Sequence, residues 1–200
     1  MTGSALPAPL CGGMKRSEIT ELLSRELVRL KLERKSSYSF WAHEVWLDRY
    51  TDHEKRVDFV AFYPHGGTRF TDGAHVERGK FHFFEVKSCM ADIRSGHGLN
   101  FEGDANFLVM PVELWGPLKL ELIDNPDGYV RSSIRNAKCL LYGERRGKPG
   151  FFETGEYIEP TYTRSRGAAE LLMCMMRAMI ANSDDSCIDH RISKMREGAF

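Results

Sequence analysis

Two apolar segments of the sequence carry charged residues that the interior of an ordinary β-sheet would exclude. Asp58 lies within residues 56–62, and Glu85 and Lys87 lie within residues 81–87. Both segments are rich in aromatic and β-branched residues, which predicts two β-strands. Because side chains alternate between the two faces of a strand, Glu85 and Lys87 share one face with two phenylalanines. Charged side chains are rarely placed on such a face unless they are paired, bind a metal or take part in catalysis.

The remaining sequence predicts further helices and strands around these two. Apolar residues at helical spacing predict an amphipathic helix from Ser17, its N-cap, to about Lys35. Gly116-Pro117 leaves at most a broken helix between residues 112 and 122. We expect an α/β (α+β) fold with a three-layer core, in which helices flank a central mixed sheet of about four to five strands. The predicted strands are 40–47, 57–63, 80–88, 106–110 and 137–142, and the other predicted helices are 90–94 and 164–182.

The last of these helices carries a methionine-rich face. Such faces usually belong to the core, because methionine fills irregular gaps. We therefore expect this face to be buried against the sheet. It consists of Ala168, Leu172, Met175, Met176 and Met179.

Length and charge limit the kind of protein that the chain can be. Two hundred residues suit one domain, which we place at residues 16–200, after a disordered tail of residues 1–15 that is rich in glycine, proline and alanine. Lysine plus arginine and aspartate plus glutamate both total 28, so the net charge is zero. A nucleic-acid site would therefore have to be a local basic patch.

The cysteines and the hydropathy indicate the compartment. The five cysteines are widely spaced and show no metal-binding pattern, which favours free thiols in a reducing environment. No apolar run approaches the roughly 20 residues that span a bilayer. Residues 1–13 lack the basic and apolar regions of a signal peptide. We expect a cytoplasmic protein without a membrane partner.

An acid on one strand followed by Glu-x-Lys on the next resembles the motif of the restriction-endonuclease-like PD-(D/E)XK nuclease superfamily. Asp58 matches the first acid and Glu85-Val86-Lys87 the second part, with Val57 in place of the name-giving proline. Residues 88–109 resemble a subgroup of small nucleases from phages, mobile elements and bacterial DNA repair, in which D-x-x-x-G and G-D-x-N follow the lysine. The resemblance extends over about residues 56–111.

The resemblance implies a metal-dependent nuclease that hydrolyses phosphodiester bonds of DNA. It favours an endonuclease over an exonuclease. Asp58, Glu85 and the carbonyl of Val86 would hold Mg²⁺, with Mn²⁺ as a substitute. Lys87 would orient the attacking water or the scissile phosphate and stabilise developing charge. The implied partner is nucleic acid, DNA before RNA, and the resemblance leaves a homodimer open.

A further acid is expected from the first helix. Glu26 falls in the middle of the apolar stripe of that helix, and many members of the superfamily supply one acid from this helix to the metal site. The alternative is that Glu26 forms a salt bridge, on a helix rotated so that this residue lies nearer to solvent. Glu44, in the first predicted strand, is a rival for the same role.

Polar residues after the Glu-x-Lys segment are candidates for shaping the site or contacting substrate. Turn and cap chemistry is the simpler explanation for Asp104 and its neighbour Asn106. An ordinary loop position is the simpler explanation for His97. The candidates are Asp92, His97, Asn100 and Asp104.

Basic and aromatic residues in the second half of the chain are candidates for binding a nucleic acid. Arg145 and Arg146 lead a group of basic residues that could bind the phosphate backbone, although such a group is more often a solvated face. Nearby aromatic residues could stack on unpaired bases or simply pack. The other basic residues are Arg131, Arg135, Lys148, Arg164 and Arg166, and the aromatic ones are Phe151, Phe152, Tyr157 and Tyr162.

One alternative function remains open. A catalytically silent protein of the same fold would serve as a nucleic-acid-binding or protein-interaction module in a repair or phage complex. The presence of every expected active-site residue type favours activity. An unrelated enzyme class has no support, because the sequence has no dinucleotide-binding, P-loop, nucleophile-elbow or zinc pattern.

Overall fold

A computed structural model of the protein describes residues 8–33, 40–66, 73–154 and 164–183. The strands are β1 (Phe40–Leu47), β2 (Lys55–Tyr63), β3 (Lys80–Val86), β4 (Ala105–Pro111), β5 (Lys138–Arg145) and β6 (Lys148–Glu153). The α-helices are α1 (Arg16–Leu27), α2 (Gly73–Glu77), α3 (Met90–Arg94), α4 (Trp115–Asp124), α5 (Tyr129–Ile134) and α6 (Ala168–Ser183). A π-helical turn, Val28–Leu32, extends α1, and a 3-10 turn, Val112–Leu114, precedes α4.

The six strands form one sheet in chain order from β1 to β6. β1, β2 and β3 are antiparallel neighbours, β3, β4 and β5 run parallel, and β6 is antiparallel to β5. The predicted mixed sheet flanked by helices is confirmed, but the predicted number of strands was too low. β6 was missed because Pro149 and Gly150 are poor strand formers.

Helices cover both faces of this sheet. On the first face, α1 packs against apolar side chains of the central strands, among them Phe59 and Phe84. On the second face, α6 packs against β1, β2 and β3, and its neighbours there include Phe83. The helices α3, α4 and α5 pack on the same second face against β4 and β5, where Leu108 lies. Phe83 and Leu108 thus mark two adjacent apolar clusters on the second face.

The Gly116-Pro117 pair does not break α4. The helix begins at Trp115, so Pro117 lies in its first turn. The N–H groups of a first turn have no acceptor within the helix, so a proline at this position removes no helical hydrogen bond. The first helix also differs slightly from its prediction, because it begins at Arg16 and Ser17 is not its cap.

The buried face of α6 only partly matches the prediction, because Ala168 and Met175 are buried as predicted and Leu172 packs against the same cluster, but the other two methionines are not buried. Met176 and Met179 are 53% and 51% exposed, whereas Leu171, Met175 and the small residue Ala178 are buried against the sheet. The helix is therefore rotated from the predicted methionine-rich face. It also begins at Ala168 rather than at residue 164.

Residues 8–15 are packed against the domain, although they were predicted to belong to a disordered tail. Ala8 forms a two-bond bridge with Glu144, with N···O distances of 2.6 and 2.8 Å. The pairing of β4 with β5 ends at Pro111 and Tyr142, and Ala8 pairs with β5 two residues beyond that point. The buried Cys11 donates its N–H to Glu113 Oε1 at 2.8 Å.

Two other predictions concern the cysteines and the membrane. Four cysteines within the described ranges are free thiols, and Cys187 lies outside those ranges. Within the same ranges, the helices lack the combination of length and apolar composition that crossing a membrane requires.

Candidate metal and phosphate site

The antiparallel pairing of β2 and β3 brings Asp58 beside Glu85. The last regular pair is Phe59 with Phe84, and one further step in the same register places Asp58 opposite Glu85. The main-chain ladder stops at this point. Instead, the N–H of Val86 donates to Asp58 Oδ2 at 2.8 Å. A carboxylate thus takes the place of a strand carbonyl and is held at the end of β3.

Glu85 is a fully buried acid whose carboxylate lacks a hydrogen bond of normal geometry among the described residues. It lies on the second face of the sheet, because its partner on β4 is Leu108 and its strand neighbours Phe84 and Val86 face α1. Its side chain has no exposed surface, and neither carboxylate oxygen accepts a hydrogen bond of normal geometry from the described residues. An unsatisfied buried polar group costs about 1–3 kcal/mol, and more when it is charged. Such a group points to a ligand that the fold itself does not supply.

The two acids perturb each other. Burial raises the pKa of Asp58, against the lowering effects of the Val86 N–H and the positive charge of Lys87. Burial also raises the pKa of Glu85 well above its ordinary value, and the negative charge of Asp58 raises it further. Two adjacent carboxylates in a poorly solvated site favour a shared proton or a cation between them.

Lys87 lies beside this acid pair under a short loop. Its side chain is buried, and Nζ donates to the carbonyl oxygen of His97 at 2.6 Å. We call residues 95–100 the strap, because they cross over the acid pair and Lys87. A Cβ at Gly98 would lie 3.2 Å from both Glu85 Oε2 and Lys87 Nζ. The strap therefore packs directly on the charged groups.

Glycine is required in the strap for a second reason. Gly98 has φ +71° and Gly96 has φ +69°, both in the left-handed region that other residues adopt at a cost. A Cβ at Gly96 would also collide with the ring and hydroxyl of Tyr129. The close approach of the strap to Glu85 thus depends on these two glycines.

We expect Gly98→Ala to destabilise the protein more than Gly13→Ala does. Both positions have left-handed φ values, +71° and +80°, but a Cβ at Gly13 would have no atom within 4 Å. The control thus carries only the conformational cost of about 1–2 kcal/mol, whereas Gly98→Ala adds the crowding of Glu85 and Lys87. The free energy of unfolding in urea measures both losses. Equal losses would show that the strap does not press on the acid pair.

The described residues provide two acids for a metal rather than three. Within the described ranges, no group of three or more His, Cys, Asp or Glu side chains could hold a metal ion. An ion at Asp58 and Glu85 would complete its shell with a backbone carbonyl, water and phosphate oxygens. Mg²⁺ fits such a site, because it keeps several waters and usually takes only one or two carboxylates.

Glu26 is buried but engaged elsewhere. Its Oε2 accepts from Arg29 Nη2 at 2.5 Å, and Arg25 lies 3.5 Å from Oε1. The helix α1 packs on the first face of the sheet, whereas Glu85 lies on the second face. Burial, together with the negative charge of Glu26, raises the pKa of Tyr142 to about 12. The contacts favour the salt-bridge interpretation, and a catalytic role for Glu26 stays a prediction.

Glu44 lies on β1, the strand next to that of Asp58, but its side chain is exposed. The β1–β2 register places it opposite Asp58, between the pairs His43 with Phe59 and Val45 with Val57. It has φ +50°, and its exposed carboxylate lies 3.6 Å from an Arg56 guanidinium nitrogen. Glu44 thus faces solvent and does not add a third ligand to the acid pair.

The other candidates near the motif have structural partners. Asp92 forms an ion pair with Arg16 at 2.6 Å. Asp104 Oδ2 accepts from the N–H of Phe81 and from Arg164, both at 2.8 Å. These contacts tie α3 and the start of β4 to neighbouring elements.

Two further candidates lie in the strap. Asn100 donates its side-chain amide to the Arg56 carbonyl at 2.9 Å, and its backbone N–H lowers the pKa of Glu85. His97 is exposed and contributes its carbonyl oxygen to Lys87. Nothing in the sequence could have assigned the backbone role of His97, because any residue type has a carbonyl.

Among the predicted basic residues, Arg131 donates to the Leu122 carbonyl oxygen at 3.1 Å, and four others fall into two pairs. Arg164 and Arg166 are held by acids, Arg164 by Asp104 and Arg166 by Asp48, Glu102 and Glu170. Arg145 and Arg146 lie at the turn between β5 and β6, where the guanidinium of Arg145 lies over the ring of Phe152. Tyr157 and Tyr162 lie outside the described residues.

Comparisons with known proteins do not place the chain in a family. No protein-family model, no curated protein and no solved structure matches it. The assignment of function therefore rests on the site itself.

Proposed function

We propose that the protein is a metal-dependent nuclease that hydrolyses phosphodiester bonds, with DNA as its substrate. The observation that carries this proposal is the buried carboxylate of Glu85, which lacks a hydrogen-bond partner among the described residues and adjoins Asp58 and Lys87. Placing a buried acid, a half-buried acid and a buried lysine together on an apolar sheet is unfavourable for folding alone. Such groupings are concentrated at functional sites.

The residues present fit a hard divalent cation. Asp58 and Glu85 would bind it through carboxylate oxygens, and the Val86 carbonyl would add a third ligand from the same strand end. When bound, the ion supplies a water of lowered pKa and polarises the phosphoryl oxygen. Asp58 is held in place by the Val86 N–H, so one side of this site is already oriented.

Lys87 has the complementary task. Its ammonium lies beside the Glu85 carboxylate, where a phosphate oxygen bound near the acid pair would come within reach. There it would orient the phosphate or the attacking water and offset negative charge as it develops. To do so, Nζ must leave the carbonyl of His97, and the strap must move from the fully buried Glu85. Opening of the strap is thus part of the proposed catalytic cycle.

The closed strap also supports a second candidate function. A silent module of this fold would keep Glu85 and Lys87 covered while binding nucleic acid through another surface. The two functions differ in one respect, because only the nuclease needs a metal.

The proposal is tested by incubating the purified protein with linear, circular and single-stranded DNA and with RNA, in Mg²⁺, in Mn²⁺ and in chelator. We expect cleavage of DNA only when a divalent ion is present. Circular DNA distinguishes internal cleavage from cleavage at ends. Absence of cleavage under every condition, together with binding that needs no metal, would instead establish the silent module.

A further inference from the structure

The turn between β5 and β6 concentrates positive charge. Arg146 and Gly147 form its two-residue loop, with φ values of +55° and +72°, and Arg145 pairs with Lys148 across it. Two left-handed residues are characteristic of the type I′ turn, where Asn or Gly is preferred. Arg146 therefore occupies a position where Asn, Asp or Gly would be more stable. A strained residue of this kind suggests a function for its side chain.

The aromatic rings at this hairpin are already engaged. The guanidinium of Arg145 lies 4.4 Å from the ring centroid of Phe152, and the Phe151 ring packs 5.1 Å from that of Tyr142. The rings support the hairpin and hold Arg145 in place, rather than being presented to an unpaired base. The groove beside them is lined by seven residues, none of them acidic: Arg145, Arg146, Lys148, Pro149, Gly150, Phe151 and Phe152.

The hairpin extends past the same end of the sheet as the acid pair. Glu85 pairs with Leu108 on β4, and Leu108 pairs with Cys139 on β5. Arg145 lies six residues further along β5 than Cys139, an even number, so its side chain lies on the same face of the sheet as that of Glu85. At about 3.3 Å per residue and about 4.8 Å per strand, Arg145 is roughly 22 Å from Glu85. That distance corresponds to about six base pairs of duplex DNA.

We propose that the β5–β6 hairpin binds the phosphate backbone of duplex DNA about six base pairs from the phosphate held at the acid pair. This inference rests on the proposed function. Charge complementarity supports a backbone contact, since Arg146 and Lys148 are exposed and no acid lines the groove. The engaged aromatic rings favour a duplex over a single strand, because binding of a single strand depends largely on stacking.

The test uses Arg146→Asn combined with Lys148→Gln, which removes two charges while giving the turn a residue that it prefers. The control is Arg78→Gln combined with Lys80→Gln, which removes two exposed charges at the other end of β3. Fluorescence anisotropy in chelator would measure binding to labelled 20-base-pair and 8-base-pair duplexes and to a 20-nucleotide single strand, over a range of salt.

We expect the hairpin variant to bind the long duplex about tenfold more weakly and with a salt slope smaller by about two, and the control to bind as the wild type does. The 8-base-pair duplex is longer than the roughly six base pairs between the two sites, so the hairpin variant should bind it more weakly as well. Unchanged affinity for the long duplex, or a loss confined to the single strand, would overturn the inference. Because binding is measured without metal, this outcome is independent of whether the protein cleaves DNA.

Discussion

Replacing Lys87 with methionine is expected to lower metal-dependent DNA cleavage by at least about a hundredfold, the usual loss when one positioned electrostatic group is removed from an active site. Methionine keeps the apolar stem of the buried side chain and removes the charge that would face the phosphate. The ammonium of Lys87 adjoins Glu85 beneath the strap, so no exposed lysine can replace it. The rate of cleavage of labelled DNA in Mg²⁺ measures the effect.

Three further variants make this experiment specific. Lys80→Met changes an exposed lysine on the same strand and should cleave as the wild type does. Asp58→Asn should lose activity as Lys87→Met does. Glu26→Gln should retain activity to within about threefold if its ion pairs with Arg25 and Arg29 are structural. Equal cleavage by wild type and Lys87→Met would remove Lys87 from the site.

In chelator, the free energy of unfolding is expected to fall as the pH rises above the ordinary range of carboxyl groups. The pKa of Glu85 in the folded protein is raised well above its usual value, mainly by burial. Between the unfolded and folded pKa values the folded protein binds more protons, so stability is greatest at low pH and is lost as the pH rises. The loss is about 1.4 kcal/mol per pH unit for one such group.

Glu85→Gln should reduce this slope to the contribution of Asp58, whose pKa burial also raises. At pH 8 in chelator it should be more stable than the wild type by about 1 kcal/mol or more, since a neutral amide replaces a buried charge. Mg²⁺ should stabilise the wild type and leave Glu85→Gln unchanged. Glu121→Gln, at an acid that binds Arg94 at 2.8 Å near the surface, should keep the wild-type slope. Denaturant unfolding at several pH values measures all three proteins. The same slope in wild type and Glu85→Gln would mean that Glu85 is not held as a buried acid.

The elements that define the site were predictable because their signals are local. Aromatic and β-branched runs predicted β2 and β3 to within two residues, and α3 matched its prediction. Alternation along β3 correctly separated Glu85 from Phe84 and Val86, which face α1. These patterns depend only on the geometry of a single strand or helix.

The errors arose where packing outweighs a local preference. The buried face of α6 includes Leu171 and Ala178 in place of Met176 and Met179, which are exposed. Pro117 was judged a helix breaker because its position within the turn was unknown. Glu26 was correctly placed on the apolar stripe, but its arginine neighbours on the same helix occupy its carboxylate.

Side-chain alternation along β3 was enough to predict that an acid and a lysine would share one face of an apolar strand, with a second acid on the strand before it. It could not determine that Asp58 lies opposite Glu85, because strand register results from contacts between distant segments. Only the tertiary structure showed that Gly98 lies against Glu85 and Lys87, and that the β5–β6 hairpin extends past the same end of the sheet. The physical reason is that side-chain facing is a property of one strand, whereas a site is formed by the packing of several elements.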